Sequence, residues 1–136
     1  MPPILVSLAL AHSGVNNKDV MARMKLMSDM ATNMKIIGQM AKRETAFEKN
    51  QAKESLREIS RLSGETPRAF KINANDPKSE AKAEIWANFN AFTKLAERLM
   101  ADSSRLAKNL ETEKDLRPAL LELSRSCKTC HSKYRE

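Results

Sequence analysis

Apolar residues recur along this chain at intervals of three and four, in four stretches separated by polar punctuation. The first, from about residue 17 to 42, sets Val20, Met24, Met27, Met30, Met34, Ile37 and Ala41 on one face of a helix. The second begins at Thr45, whose hydroxyl can cap a helix while Glu48 reaches back to the Thr45 amide, and Gly64 followed by Pro67 marks its end. Phe47, Ala52, Leu56, Ile59 and Leu62 give it an inner face. After a polar connection over 65–75, Asp76-Pro77 supplies a capping residue and a proline for the first helical position, so the spacing predicts a third helix from there to about residue 110. Its stripe is Ile85, Phe89, Phe92, Ala96, Leu99, Leu106 and Leu110, with Trp86 beside it. Thr112 can cap a fourth helix, where Pro118 falls among the first turns and Leu116, Leu120, Leu123, Cys127, Cys130 and Tyr134 share the buried side.

Consecutive amphipathic helices with short connections favour antiparallel neighbours, so the pattern predicts an all-α, up-down-up-down four-helix bundle over residues 16–136. No stretch alternates as a strand does, and no internal repeat or low-complexity tract interrupts the pattern. A chain of 136 residues supplies one core rather than two. Composition agrees: valine and glycine number three each, while Ala, Leu, Met, Lys, Glu and Arg dominate. With four phenylalanines, one tryptophan and one tyrosine, the core is light in aromatic bulk, and a bound group would fill its centre.

Residues 1–15 behave differently. The apolar run Ile4 to Ala11 is far shorter than the ~20 residues of a membrane span, so no span is expected. It ends in Ala9-Leu10-Ala11, a small-x-small pattern suited to a signal peptidase. The reading is an export-signal remnant or, because no Lys or Arg precedes the run, an N-terminal extension. The net charge of +7 is spread among acids along every segment rather than gathered in a stripe, which argues against nucleic acid as a partner. A basic surface of this kind either steers an acidic redox partner or is simply solvated.

Cys127-Lys128-Thr129-Cys130-His131 has the C-x-x-C-H form of a haem attachment site. On a helix, positions i and i+3 present two sulfurs on one side, where they can add across the two vinyl groups of one porphyrin. His131, one turn beyond Cys127, can reach the iron from that side. A structural zinc site wants four ligands and the only other histidine is His12, inside the leader. A thioredoxin-like C-x-x-C needs a strand and helix setting absent here, and a disulfide across i, i+3 of a helix is geometrically awkward.

The ending Cys127-Lys-Thr-Cys130-His131-Ser-Lys-Tyr134-Arg135 resembles the C-terminal signature of the cytochrome c′ family. Arg23-x-x-x-Met27-x-x-Met30-x-x-x-Met34 resembles its first helix, and Glu84-Ile85-Trp86 with Phe92 its third. The resemblance spans about residues 17–136 and implies one covalently bound haem c at Cys127, Cys130 and His131. It also implies Arg23 on a haem propionate, Arg135 near the proximal face, and a homodimer built on the first two helices.

Met27 occupies the distal position. Relatives there divide into low-spin carriers whose methionine binds iron and cytochromes c′ whose sixth site stays open; the runs Lys25-Leu26-Met27 and Gly38-Gln39-Met40-Ala41-Lys42 resemble the low-spin branch. Methionines at helical spacing also serve as pliable core filler. The expected function is a periplasmic electron carrier ligated by His131 and Met27, because c-type attachment takes place outside the cytoplasm. The alternative is a five-coordinate protein binding NO or CO in an apolar cavity lined by Met27, Met30 and Phe89 or Phe92. No nucleophile and base are paired in the sequence, so enzymatic turnover is not expected.

Overall fold

The computed structural model describes residues 14–136, and the apolar run Ile4 to Ala11 lies outside the described residues. The helices are α1 (Lys18–Ala41), α2 (Lys49–Ala69), a single-turn α3 (Glu84–Ala87), α4 (Phe89–Asn109) and α5 (Leu116–Tyr134). α1, α2, α4 and α5 are the four helices of the predicted bundle, and no described helix is long and apolar enough to cross a membrane. Ile37, Met40, Leu56, Ile59, Leu110, Leu116 and Leu123 form the main core. A second cluster of Phe70, Ile85 and Phe92, with Met27, Cys130 and Tyr134 packed on it, fills the other end.

α1 begins where the pattern placed it. The Asn17 side chain accepts from the amides of Asp19 and Val20 at 2.9 and 3.1 Å, satisfying two donors of the first turn. Its end is a Schellman turn, with the Arg43 amide on the Met40 carbonyl (3.1 Å) and the Glu44 amide on Gln39 (2.9 Å). Arg43 occupies the left-handed position with φ 60°, where glycine is usual.

Three boundaries differ from those predicted. The Thr45–Glu48 capping box does not form, because the Thr45 amide is still engaged on the Gln39 carbonyl (3.3 Å), and α2 starts at Lys49 with no side-chain cap. Gly64 does not end α2. A Cβ there would stand 2.8 Å from Met100 Sδ, so the glycine lets α4 approach α2 instead of turning the chain. Ser60 Oγ donates to the Met100 carbonyl at 2.8 Å in the same contact. Pro67 is carried inside the last turn, which is held by buried Thr66 and Phe70 on either side. Packing outweighs the local stop signals.

The third helix also starts late. Asp76-Pro77 sits in a turn, and Asp76 caps other backbone: its buried carboxylate accepts from the amides of Asn16 (3.0 Å), Asn17 (3.1 Å) and Lys78 (2.9 Å). These bonds pin the approach to α1 onto the connection before α3. Asn88, at φ −140° and ψ 70°, then breaks the helical path and recaps α4 by accepting from the Ala91 amide at 3.2 Å.

The three amides hold the Asp76 carboxyl below the usual carboxylate range. A depressed folded pKa gives stability that is present above the ordinary value near ~4 and is lost as pH falls through the folded one. Asp76→Asn should therefore lower the thermal midpoint at pH 7, and the gap to the parent should narrow on acidification below about pH 4. Parallel melting curves from pH 7 to pH 3 check this; a gap that stays constant would mean the charge contributes nothing.

Candidate haem cleft

α1 and α5 are in contact at Gly38, where an added Cβ would lie 4.0 Å from Leu120. Along the length of α1 and the carboxyl-terminal part of α5 they enclose a cleft of about 1270 Å³. Met24, Met27 and Met34 of α1 line it together with Phe92 of α4 and Cys127, Cys130 and His131 of α5. The methionine stripe of α1 is thus divided. Ile37 and Met40 are buried in the bundle, Met24, Met27 and Met34 are half-buried along the cleft, and the buried Met30 borders both.

Cys127 and Cys130 are free, half-buried thiols, and burial pushes both pKa values up. His131 lies at the surface of the same helix. Its imidazole is held below the ordinary histidine value, first by desolvation and then by the Arg135 charge, with Glu80 opposing. The neutral ring, with a lone pair to donate, is favoured. Among the described residues it is the only imidazole, and no three His, Cys, Asp or Glu side chains gather into a metal site. The chain therefore presents one nitrogen donor and two thiols along one cleft.

Arg23 is 3% exposed. Its guanidinium stacks over Phe70 and Trp86, each 5.1 Å away, and Nη2 donates to the Ala74 carbonyl at 2.6 Å. Trp86 Nε1 in turn donates to the Phe70 carbonyl at 2.7 Å, fixing that sandwich. Nη1 is buried without a hydrogen-bond partner. Desolvation lowers the Arg23 pKa, with Asp19 acting against it. A buried guanidinium donor lacking an acceptor is costly, and an anionic group in the cleft would satisfy it.

Arg135 also lines the cleft, but Glu80 engages it at 2.8 Å. The carboxyl end of α5 is stitched to this segment: the Lys82 amide donates to Tyr134 and the Glu136 amide to Glu80, each at 2.9 Å. Tyr134 meets Phe92 edge-on at 5.3 Å. Phe92 lines the cavity with Met27 and Met30, whereas Phe89 is outside it, packed on Phe92 at 5.7 Å. Met27 packs against both the Leu26–Met30–Leu62 cluster and the Phe70–Ile85–Phe92 cluster.

Sequence reasoning brought six residues to this site, and all six line the cleft: Arg23, Met27, Cys127, Cys130, His131 and Arg135. It missed the Phe70–Trp86 clamp, the Ala74 carbonyl and Glu80. A backbone carbonyl carries no sequence signal, and Glu80 lies in a polar connection without periodicity. Two thiols one turn apart, a neutral imidazole, an apolar cavity and an orphaned buried guanidinium together fit a porphyrin bearing carboxylates.

Comparison with known proteins gives the same direction. Residues 18–135 match the family model described as cytochrome C′. Cytochrome c′ of Rhodospirillum rubrum is 30% identical over 116 residues, covering 83% of this chain and 78% of that protein. The solved cytochrome c′ of Rhodopseudomonas palustris superposes with a TM-score of 0.82 at 23% identity, covering 89% of this chain and 98% of the other. A nitric oxide complex of a leucine-to-isoleucine variant of cytochrome c prime from Alcaligenes xylosoxidans reaches 0.74 at 23% identity, with 87% and 94% covered.

Proposed function

The chain belongs to the cytochrome c′ family and carries one covalently attached haem c, and from this we propose that it binds small uncharged gases such as NO or CO at an open distal face. The observation that carries the reading is the cleft wall. Beside His131, the one imidazole among the described residues, it offers Met24, Met27 and Phe92, and the half-buried Met27 packs against two apolar clusters. The structurally similar protein from Alcaligenes xylosoxidans was solved as a nitric oxide complex, which supports the same ligand class here.

In this reading Cys127 and Cys130 would hold the porphyrin through thioethers, and His131 of the same helix would offer its lone pair to the iron. Arg23 would pair a propionate, its fork kept in place by the Ala74 carbonyl, Phe70 and Trp86. When bound, haem iron supplies a one-electron couple and a site for diatomic ligands. Met24, Met27 and Phe92 keep water and charged ligands out of the distal space because they offer no hydrogen bond to either.

Electron carriage is the second reading, favoured by the presence of the Met27 thioether in the cleft lining. A thioether held to the iron by Met27 would stabilise the ferrous state and close the gas site. Residues 1–15 act as an export leader or extension and the folded unit, 16–136, works in the periplasm, where reduced cysteines receive haem. A homodimer on α1 and α2 accompanies either reading.

Electron paramagnetic resonance of the ferric protein, with CO added to the ferrous form, decides between them. High-spin iron that takes up CO is the expected result. Low-spin iron that resists CO overturns it in favour of the carrier; Met27→Ala should then turn the spectrum high-spin.

A further inference from the structure

Asp76 grips two pieces of chain at once. One carboxylate oxygen, Oδ2, accepts from the amides of Asn16 and Asn17 at the base of α1, and the other, Oδ1, accepts from the Lys78 amide in its own turn. The Asp76 carbonyl accepts from the Ser79 amide at 2.9 Å, and the Asp76 amide donates to Asn75 Oδ1 at the same distance. With each polar group engaged and 7% of its surface exposed, Asp76 is a fixed point rather than a solvated charge.

Two residues earlier in the same connection stands the Ala74 carbonyl that accepts from Arg23 Nη2. Arg23 itself lies six residues beyond Asn17, less than two helical turns. α1 and the connection are therefore joined at two points, by Asn16 and Asn17 on Asp76 and by Arg23 on Ala74. The short runs 17–23 and 74–76 close the circuit between them. Little within the connection itself fixes the Ala74 carbonyl: Ile72 is 61% exposed, and the Ala74 amide turns back onto the Ile72 carbonyl at 2.8 Å.

A guanidinium is a rigid planar fork, so a carbonyl on one arm sets where the other arm points. The rings of Phe70 and Trp86 confine the Arg23 fork by contact, but contact over a ring leaves it free to turn, and the bond to Ala74 removes that freedom. Nη1 is the arm left over, buried and without a partner. We propose that Asp76 is a positioning residue for the haem site: by fastening the base of α1 to the connection it keeps the Ala74 carbonyl on Arg23 and so holds the guanidinium ready for a haem propionate. The inference rests on Arg23 serving a propionate, as proposed above, and is independent of whether Met27 ligates iron.

The charge of Asp76 and its grip act on iron with opposite signs, which makes them separable. A negative charge in a poorly solvated place favours the ferric state, so its loss alone moves the couple toward ferrous iron. A guanidinium that neutralises a propionate favours the ferrous state, so loss of its aim moves the couple toward ferric iron. Asp19, whose charge also acts on Arg23, supplies the charge-only comparison because its side chain takes no part in the circuit.

The test is made on the holoprotein by redox titration and by the resonance Raman band of propionate bending, which follows hydrogen bonding to that carboxylate. Asp76→Ala should move the ferric-to-ferrous ratio at fixed applied potential about threefold toward ferric, a fall of ~28 mV at ~59 mV per tenfold for one electron. It should also shift the Raman band in the same sense as Arg23→Met. Asp76→Asn keeps an acceptor oxygen for the amides and should shift the band less; it carries the test if the alanine variant does not fold. In an Arg23→Met background the Asp76 changes should no longer move the ratio toward ferric, since both act through one contact. Asp19→Asn should leave the band in place and move the ratio toward ferrous; a shift toward ferric as large as that of Asp76→Ala would overturn the proposal. So would an Asp76 effect that persists undiminished in the Arg23→Met background. If Arg23→Met moves the band while the Asp76 variants do not, the positioning role alone falls; if Arg23→Met leaves the band at its parent position, the propionate assignment falls and takes this proposal with it.

Discussion

Changing Cys127 and Cys130 together to alanine should give a protein whose pigment is released completely by acidic organic solvent and whose denatured chain carries no haem stain on a gel. Each single variant should retain one thioether and remain coloured after denaturation. The two sulfurs sit one helical turn apart on α5 and are half-buried in one cleft. They act as a double tether that turns haem capture into an intramolecular event. Without them His131 and Arg23 still offer a ligand and a counter-charge, but at the cost of independent association, and a cleft of about 1270 Å³ is left to open. If the double variant keeps its pigment through solvent extraction, the attachment site is elsewhere and the assignment of the cleft fails with it.

Arg23→Met is expected to destabilise the holoprotein far more than the apoprotein. In the holoprotein it removes a charge-assisted hydrogen bond to a propionate, and denaturant titration should show a loss of about 1.5–3 kcal/mol. In the apoprotein the same change removes a buried donor that has no acceptor, Nη1, and replaces it with an apolar side chain of similar length. The apoprotein should lose much less stability or gain some. Equal losses in both forms would show that Arg23 is important only for its stacking on Phe70 and Trp86 and its bond to Ala74.

The bundle and the heart of its site are legible in the sequence for different reasons. Helix identity follows from the three-and-four spacing of Leu56, Ile59 and Leu62, or of Leu116, Leu120 and Leu123, which burial sustains over many residues. The attachment motif is legible because its chemistry requires fixed neighbours along one strand of chain. Boundaries are less so. Thr45, Gly64, Pro67 and Asp76 all carry familiar local signals, yet each is used by a partner far away or by the preceding helix. The division of the α1 methionines between bundle and cleft is likewise set by where α5 stands. Nothing in the run from Met24 to Met40 marks that split.

The close approach of α2 and α4 at Gly64 and Met100 bears on the order of assembly. That pair makes the most extensive contact in the protein, and α5 makes less with either neighbour, α1 or α4. An early partner built on α2 and α4 can form while the carboxyl-terminal helix stays accessible. The attachment cysteines are carried on this less extensively held helix. Ligation would then act as the closing step of maturation, drawing the last helix down over its cargo.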